Sequence, residues 1–137
     1  VHLIPKEILD ARGVAPGQIG ENVTTAGIDL LSLGKGTKLH FLPPGPGASG
    51  AEEGELDLRQ LEPHPVVVVQ GLRNPCPQID KFRAGLKESF VVRDGERKIV
   101  GRLAGVMGTV EVGGVVSVGM RVVVEDAEGG FEPLGCV

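Results

Sequence analysis

The sequence predicts a mainly β protein, a barrel rather than a sandwich, with two or so short helices. Three observations lead there. Gly and Pro supply 22 and 10 of the 137 residues, too many helix breakers for a helical bundle. Valine-rich runs recur in VVVVQ, VVSV and RVVVE, and β-branched residues suit a pleated, half-buried surface. Gly101, Gly105 and Gly108 interrupt one long apolar stretch, as bulges and sharp bends in a barrel strand do. A hydrophobic content of 41% gives such a chain enough material for a core.

The elements follow in order. Residues 2–12, HLIPKEILDAR, predict a short helix starting at Pro5, a residue suited to a first helical position, with Gly13 stopping it. Residues 13–22, GVAPGQIGEN, are a loop of turn formers, and 23–33 read as short extended pieces. TKLHFL, 37–42, alternates and predicts a strand. PPGPGASGAEEGE, 43–55, has only two alanines to pack and is expected to be a flexible surface insertion. The segments on either side are too small to fold alone, so 1–137 reads as one domain. VVVVQ, 66–70, predicts a buried strand. Ile79, Phe82 and Leu86 fall on one helical face and predict a second short helix. Residues 90–126 hold three or four more strands, in FVV, KIVGRLAGVMGTVEV, VVSV and RVVVE. The tail, EGGFEPLGCV, carries no clear signal.

Composition narrows the functional classes. A formal net charge of −4 gives no general attraction for nucleic acid or an anionic membrane. Four Phe without Trp or Tyr argue against an aromatic platform for single strands. No apolar run reaches the ~18 residues of a membrane helix. Two cysteines are too few for a disulfide framework and suit a reducing compartment, so a cytoplasmic location is expected. His2, His40 and His64 are scattered, which argues against a zinc site. Asp10, Asp29, Asp80 and Asp94 show no acid–base pairing pattern. Lys35, Lys38, Lys81, Lys87 and Lys98 have no recognisable Schiff-base setting.

Cys76 stands out. It lies between two prolines in RNPCPQID, where a buried strand meets a short helix. A helix beginning near Pro77 would turn free backbone N–H groups toward the sulfur, and Arg73, Lys81 and Arg83 are close in sequence. Both effects favour thiolate over thiol. A thiolate is a nucleophile, a persulfide carrier or a soft metal ligand. A small buried core residue is the competing reading. GQIGENVTT, 17–25, offers backbone N–H groups, an Asn amide and two hydroxyls, the parts of an anion nest or of a self-capped polar turn. GVMGTVEVGG, 105–114, lacks the GxGxxG spacing and a following helix, so it reads as a bent strand.

These stretches together resemble the MOSC domain, named for the C-terminal domain of molybdenum-cofactor sulfurase. The residues that carry the likeness are GQIGENVTTAGIDLLSLGKGTKLHF (17–41), VVVVQGLRNPCPQIDKFRAGL (66–86) and RKIVGRLAGVMGTVEVGGVVSVGMRVVV (97–124). The Gly-Glu-Asn-Thr loop, the G-T strand, the R-x-P-C motif and the A-G-V-M-G strand occur in family order. The nearest type is the small standalone MOSC protein. Two departures are visible. The family has an additional strand and a Gly-Glu-Asp-rich loop ahead of the segment that starts here at His2, so an incomplete barrel is expected. Met120 stands where the family often has Asp.

The resemblance implies a distorted, mostly antiparallel β-barrel (the MOSC fold) and a molybdenum cofactor (molybdopterin). It implies that Cys76 is the family cysteine, which ligates molybdenum in the amidoxime-reducing relatives and is proposed to relay sulfur as a persulfide in the sulfurases. Arg73 is then expected to face the anionic cofactor, with Asn22, Thr24 and Thr25 lining the same cleft. Three functions follow as expectations. One is a molybdenum-dependent oxidoreductase reducing N-hydroxylated small molecules with electrons from a flavoprotein. Another is a sulfur carrier loaded by a pyridoxal-phosphate cysteine desulfurase. The third is a non-catalytic barrel that serves as an interaction module.

Overall fold

A computed structural model describes residues 1–44 and 63–136 of the chain. From the N-terminus run β1 (His2–Pro5), α1 (Lys6–Asp10), β2 (Val23–Thr25) and β3 (Lys38–Leu42). There follow β4 (Val66–Leu72), α2 (Gln78–Phe82), β5 (Val91–Arg93), β6 (Ile99–Arg102), β7 (Val106–Val112) and β8 (Arg121–Glu125). Short 3-10 turns cover Leu30–Ser32 and Lys87–Phe90. Six strands form one curled sheet, a half-barrel, in the order β2-β1-β7-β4-β3-β8. Among the described residues, only the β1–β2 pair is parallel within it. β5 and β6 form a separate antiparallel pair. The mainly β, mostly antiparallel class and the two short helices agree with the sequence. Among the described residues, no helix is long and apolar enough to cross a membrane.

β1 organises the interior. Its four residues are all buried. Neighbouring side chains on a strand point to opposite faces. Leu3 accordingly packs with Leu30, Leu39, Phe41, Val67, Val69 and Val106, while Ile4 packs with Leu9, Val14, Ile79, Leu86, Phe90 and Ala104. One strand thus serves two cores. The second core binds α1, α2 and the approach to β5 to the back of the sheet.

The expected helix over 2–12 is corrected here. Residues 2–5 are strand, and the helix begins at Lys6 after an extended Pro5 (φ −65°, ψ 134°). A strand buried on both faces has no polar alternation, so HLIP carried no strand signal. The second helix is also shorter than its apolar spacing implied. It ends at Phe82, and Arg83 is extended. Ile79 and Leu86 both reach the core, but Phe82 remains 40% exposed. Leu86 arrives by way of the following turn, with its N–H bonded to the Arg83 carbonyl at 3.1 Å.

The long glycine-punctuated stretch divides into β6 and β7. Gly105, at φ +92°, makes the corner between them. VVSV forms no strand: Val115 and Val118 project outward, and Ser117–Met120 closes a turn before β8. The tail is tied down, since Leu72 N–H donates to the Gly135 carbonyl at 2.7 Å and Cys136 forms a parallel bridge with Leu72. Cys136 itself is exposed. The insertion expected over 43–55 lies, from residue 45 on, outside the described residues.

The sheet stops short of closing. Its edge strands β2 and β8 both border a cleft of about 920 Å³. Val23, Thr24, Thr25 and Asp29 lie on one side, and Arg121 and Val123 lie on the other.

Candidate functional site

Cys76 sits just ahead of α2, in the segment that leaves β4. It is partly exposed, and it packs against the second core. Burial pushes its thiol pKa up. That effect is outweighed by the Gln78 N–H, by a hydrogen bond and positive charge from the Arg73 guanidinium, and by the Ile79 N–H. The net direction is down from the ordinary thiol value. Ile79 N–H also donates to the Cys76 carbonyl at 3.1 Å, which fixes the turn that aims these donors at sulfur. The result is a sulfur whose ionised form is favoured by three donors, with access to solvent.

Arg73 is positioned by the Gly105 corner. Its N–H donates to the Gly105 carbonyl at 2.9 Å. The same corner holds His2, whose Nε2–H donates to the Ala104 carbonyl. A carbonyl only accepts, so this bond assigns the proton to Nε2. Two backbone carbonyls in succession therefore place His2 and Arg73 side by side.

The GQIGENVTT loop comes to the same place from the other side. Asn22 and His2 exchange bonds: His2 N–H donates to Asn22 Oδ1 at 2.8 Å, and Asn22 N–H donates to the His2 carbonyl at 2.9 Å. One glycine N–H of the loop, that of Gly17, faces the chain's own Glu21 side chain, while Gly20 N–H closes the turn on the Gly17 carbonyl. Glu21 Oε1 accepts from Gly17 N–H and from the Thr24 hydroxyl. Oε2 of Glu21 is buried and has no hydrogen-bond partner among the described residues. Glu21 and Arg73 both act electrostatically on His2, with opposite signs.

The sequence-predicted residues thus fall into two groups. Cys76 and Arg73 are in direct contact, and Asn22 joins them through the His2 backbone. Thr24 and Thr25 line the seam cleft, which Cys76, Arg73 and Asn22 do not border. Thr25 is buried, and its hydroxyl has no partner among the described residues. Sequence reasoning missed His2 and Glu21. An acid directly after a glycine-rich turn was the available signal for Glu21, because free N–H groups there attract a carboxylate. The four aspartates without a pairing pattern serve the surface: Asp10 pairs with Lys6, Asp29 accepts from Ser32, Asp80 from Lys87 N–H, and Asp94 from Glu96 and Lys98 N–H.

His2 gives a pH signature. Burial holds its pKa below 6.5, only partly opposed by the bond to Ala104 and aided by the Arg73 charge. The unfolded chain therefore binds the His2 proton more readily than the folded one, and folding stability rises with pH through this range. Lowering the pH from 6.5 toward the depressed folded value is expected to reduce the free energy of unfolding. Urea melts of the wild type and His2→Gln against pH check this, with the variant expected to lose part of the slope.

No family model matches the chain, and no curated protein or solved structure matches it.

Proposed function

We propose that this chain is a MOSC-type domain whose working group is the Cys76 thiolate. In the reading we favour, that thiolate ligates molybdenum of the pterin cofactor in an oxidoreductase acting on N-hydroxylated small molecules. The supporting observation is the partly exposed Cys76 sulfur, faced by the Arg73 guanidinium and two backbone N–H groups that lower its pKa. The donor set fits the metal end of such a cofactor. A soft thiolate suits the metal, and a guanidinium beside it suits anionic oxygen atoms. The fit stops there, because the large cleft with its unpartnered Thr25 hydroxyl is bordered by Thr24 and Thr25 and not by Cys76.

When bound, the cofactor supplies the electron-transfer chemistry that no residue of this chain has. The chain's own residues have distinct parts. Cys76 binds. Arg73 keeps the sulfur ionised and offers its charge to an incoming anion. The Gly105 corner holds the Arg73 backbone in place. Electrons would come from a flavoprotein partner.

Sulfur relay is the second reading, and the solvent access of Cys76 favours it. The Cys76 thiolate attacks the outer sulfur of a donor persulfide, R–S–SH. A new S–S bond forms, the donor's S–S bond breaks, and R–S⁻ leaves with the bonding pair. Cys76 then carries the S–SH group for delivery, and a pyridoxal-phosphate cysteine desulfurase is the class of donor.

Elemental analysis and intact-protein mass spectrometry of protein purified from a molybdenum-replete host separate these readings. Stoichiometric molybdenum lost in Cys76→Ser is the expected result. A mass gain of one sulfur atom on Cys76, without metal, would select the carrier instead. Neither modification, with an unreactive thiol, would leave the domain as a non-catalytic module.

A further inference from the structure

Charge is unevenly spread along the chain. Residues 80–102 hold seven of the 14 Lys and Arg but only four carboxylates, a local +3 within a net charge of −4. Each of those carboxylates already has a partner. Glu88 pairs with Arg93, and Glu96 pairs with Lys98. Asp80 accepts from Lys87 N–H, and Asp94 from Glu96 and Lys98 N–H. The remaining cations are bonded differently. Arg83 donates to the Arg12 and Gly13 carbonyls, and Arg102 donates to Asn74 Oδ1. These acceptors are neutral, so the positive charge stays unbalanced. Lys81 and Arg97 are exposed.

β5 and β6 carry much of this charge on a ribbon that stands outside the six-stranded sheet. A two-stranded ribbon is marginal by itself, and this one is anchored at its base. Leu103 N–H donates to the Phe90 carbonyl at 2.7 Å, and Arg102 reaches Asn74 at 3.1 Å. Asn74 lies two residues before Cys76, and α2, with Lys81 and Phe82, begins two residues after it. Cys76 therefore sits between the ribbon's anchor and α2. The ribbon's register slips between Val92–Gly101 and Arg93–Ile99. Val100 is the extra residue, and such a bulge re-aims a side chain. Val100 is 63% exposed, and Val92, Ile99 and Phe82 are exposed as well. Exposed apolar side chains set among arginines and lysines have the anatomy of a protein interface, apolar at its centre and charged at its rim.

We propose that α2 and the β5–β6 ribbon form the docking face for an acidic flavoprotein, whose carboxylates meet these cations beside Cys76. Charge complementarity argues for this occupant. An unbalanced positive face draws a negative one, speeds the encounter and fixes its orientation. That the partner carries a flavin rests on the molybdenum reading of Cys76; that its surface is acidic does not. An anionic membrane fits less well. Segments that bind such lipids are clusters of about four to eight Lys or Arg. Here carboxylates interleave with the cations and pair with two of them, a mixed pattern that suits the mixed surface of a protein.

The test is a titration of the full chain with oxidised flavodoxin, an acidic flavoprotein, read by the backbone amide resonances. The expected result is shifts confined to α2, residues 91–102 and Asn74–Cys76, with affinity falling about tenfold between about 50 and about 300 mM salt. Lys81→Glu combined with Lys98→Glu is expected to weaken docking about tenfold. Both side chains are exposed, so the fold is kept. Val100→Ser is expected to weaken docking at both salt levels, because salt does not screen an apolar contact. Lys35→Glu, outside this face, is the control and should have a much smaller effect than the double variant. Cys76→Ser is expected to leave docking in place. Molybdenum loss in that variant and docking loss in the double variant therefore report on separate claims. The proposal is overturned if no shifts appear at the lower salt, or if poly-glutamate binds as tightly as flavodoxin. It is overturned also if phosphatidylserine vesicles bind in preference to flavodoxin, which would assign the face to a membrane. Shifts of the same amides with protein concentration alone would assign it instead to a second copy of this chain.

Discussion

Cys76→Ser is expected to abolish molybdenum retention and any turnover, or persulfide formation in the carrier reading, by a factor on the order of 10⁴ or more. The hydroxyl of serine is not ionised by Arg73, and it neither binds a soft metal nor forms a persulfide. The fold should survive. The side chain is only partly buried, and the Gln78 and Ile79 N–H groups that faced sulfur can bond to oxygen or water. A stability loss below about 2 kcal/mol is expected. Unfolding of the variant, with activity lost only for that reason, would make Cys76 a packing residue.

Gly105→Ala is expected to cost about 3–5 kcal/mol, the sum of a left-handed backbone forced on an L residue and a steric clash. Gly105 has φ +92°, and an added Cβ would run into the Leu3 carbonyl and crowd Ile4 Cα and Cβ at 3.0 Å. β1 has no room to retreat, because Leu3 and Ile4 are each fixed in a separate core. The corner also supplies the carbonyls that hold His2 and Arg73. Any molecules that stay folded should therefore show a less acidic Cys76 thiol. Chemical denaturation measures the first effect and thiol titration the second. A loss under about 1 kcal/mol would mean that the corner relaxes freely and does not set the site.

The sequence was most legible where a pattern is local. β3 alternates, β4 is a β-branched run and β8 is RVVVE, so each appeared close to its place. It was least legible where burial is set by distant neighbours. HLIP looks like a helix entry because nothing in four buried residues reveals that both faces are covered. VVSV has strand composition but pairs with no strand among the described residues, and its valines point to solvent. Among the site residues, Cys76 and Arg73 could be paired by their three-residue spacing. His2 and Glu21 could not, since their meeting depends on β1 lying against β7 and on the 13–22 loop returning beside it.

The most direct measurement is the rate of Cys76 alkylation against pH, in the wild type and in Arg73→Gln, with Cys136→Ser in both to leave one thiol. A thiolate held by Arg73 predicts a midpoint below the ~8.5 of a free cysteine, moving up in Arg73→Gln while the fold is kept. A midpoint at or above ~8.5 that is the same in both proteins would contradict the central claim, because Cys76 would then be an ordinary thiol with no site around it.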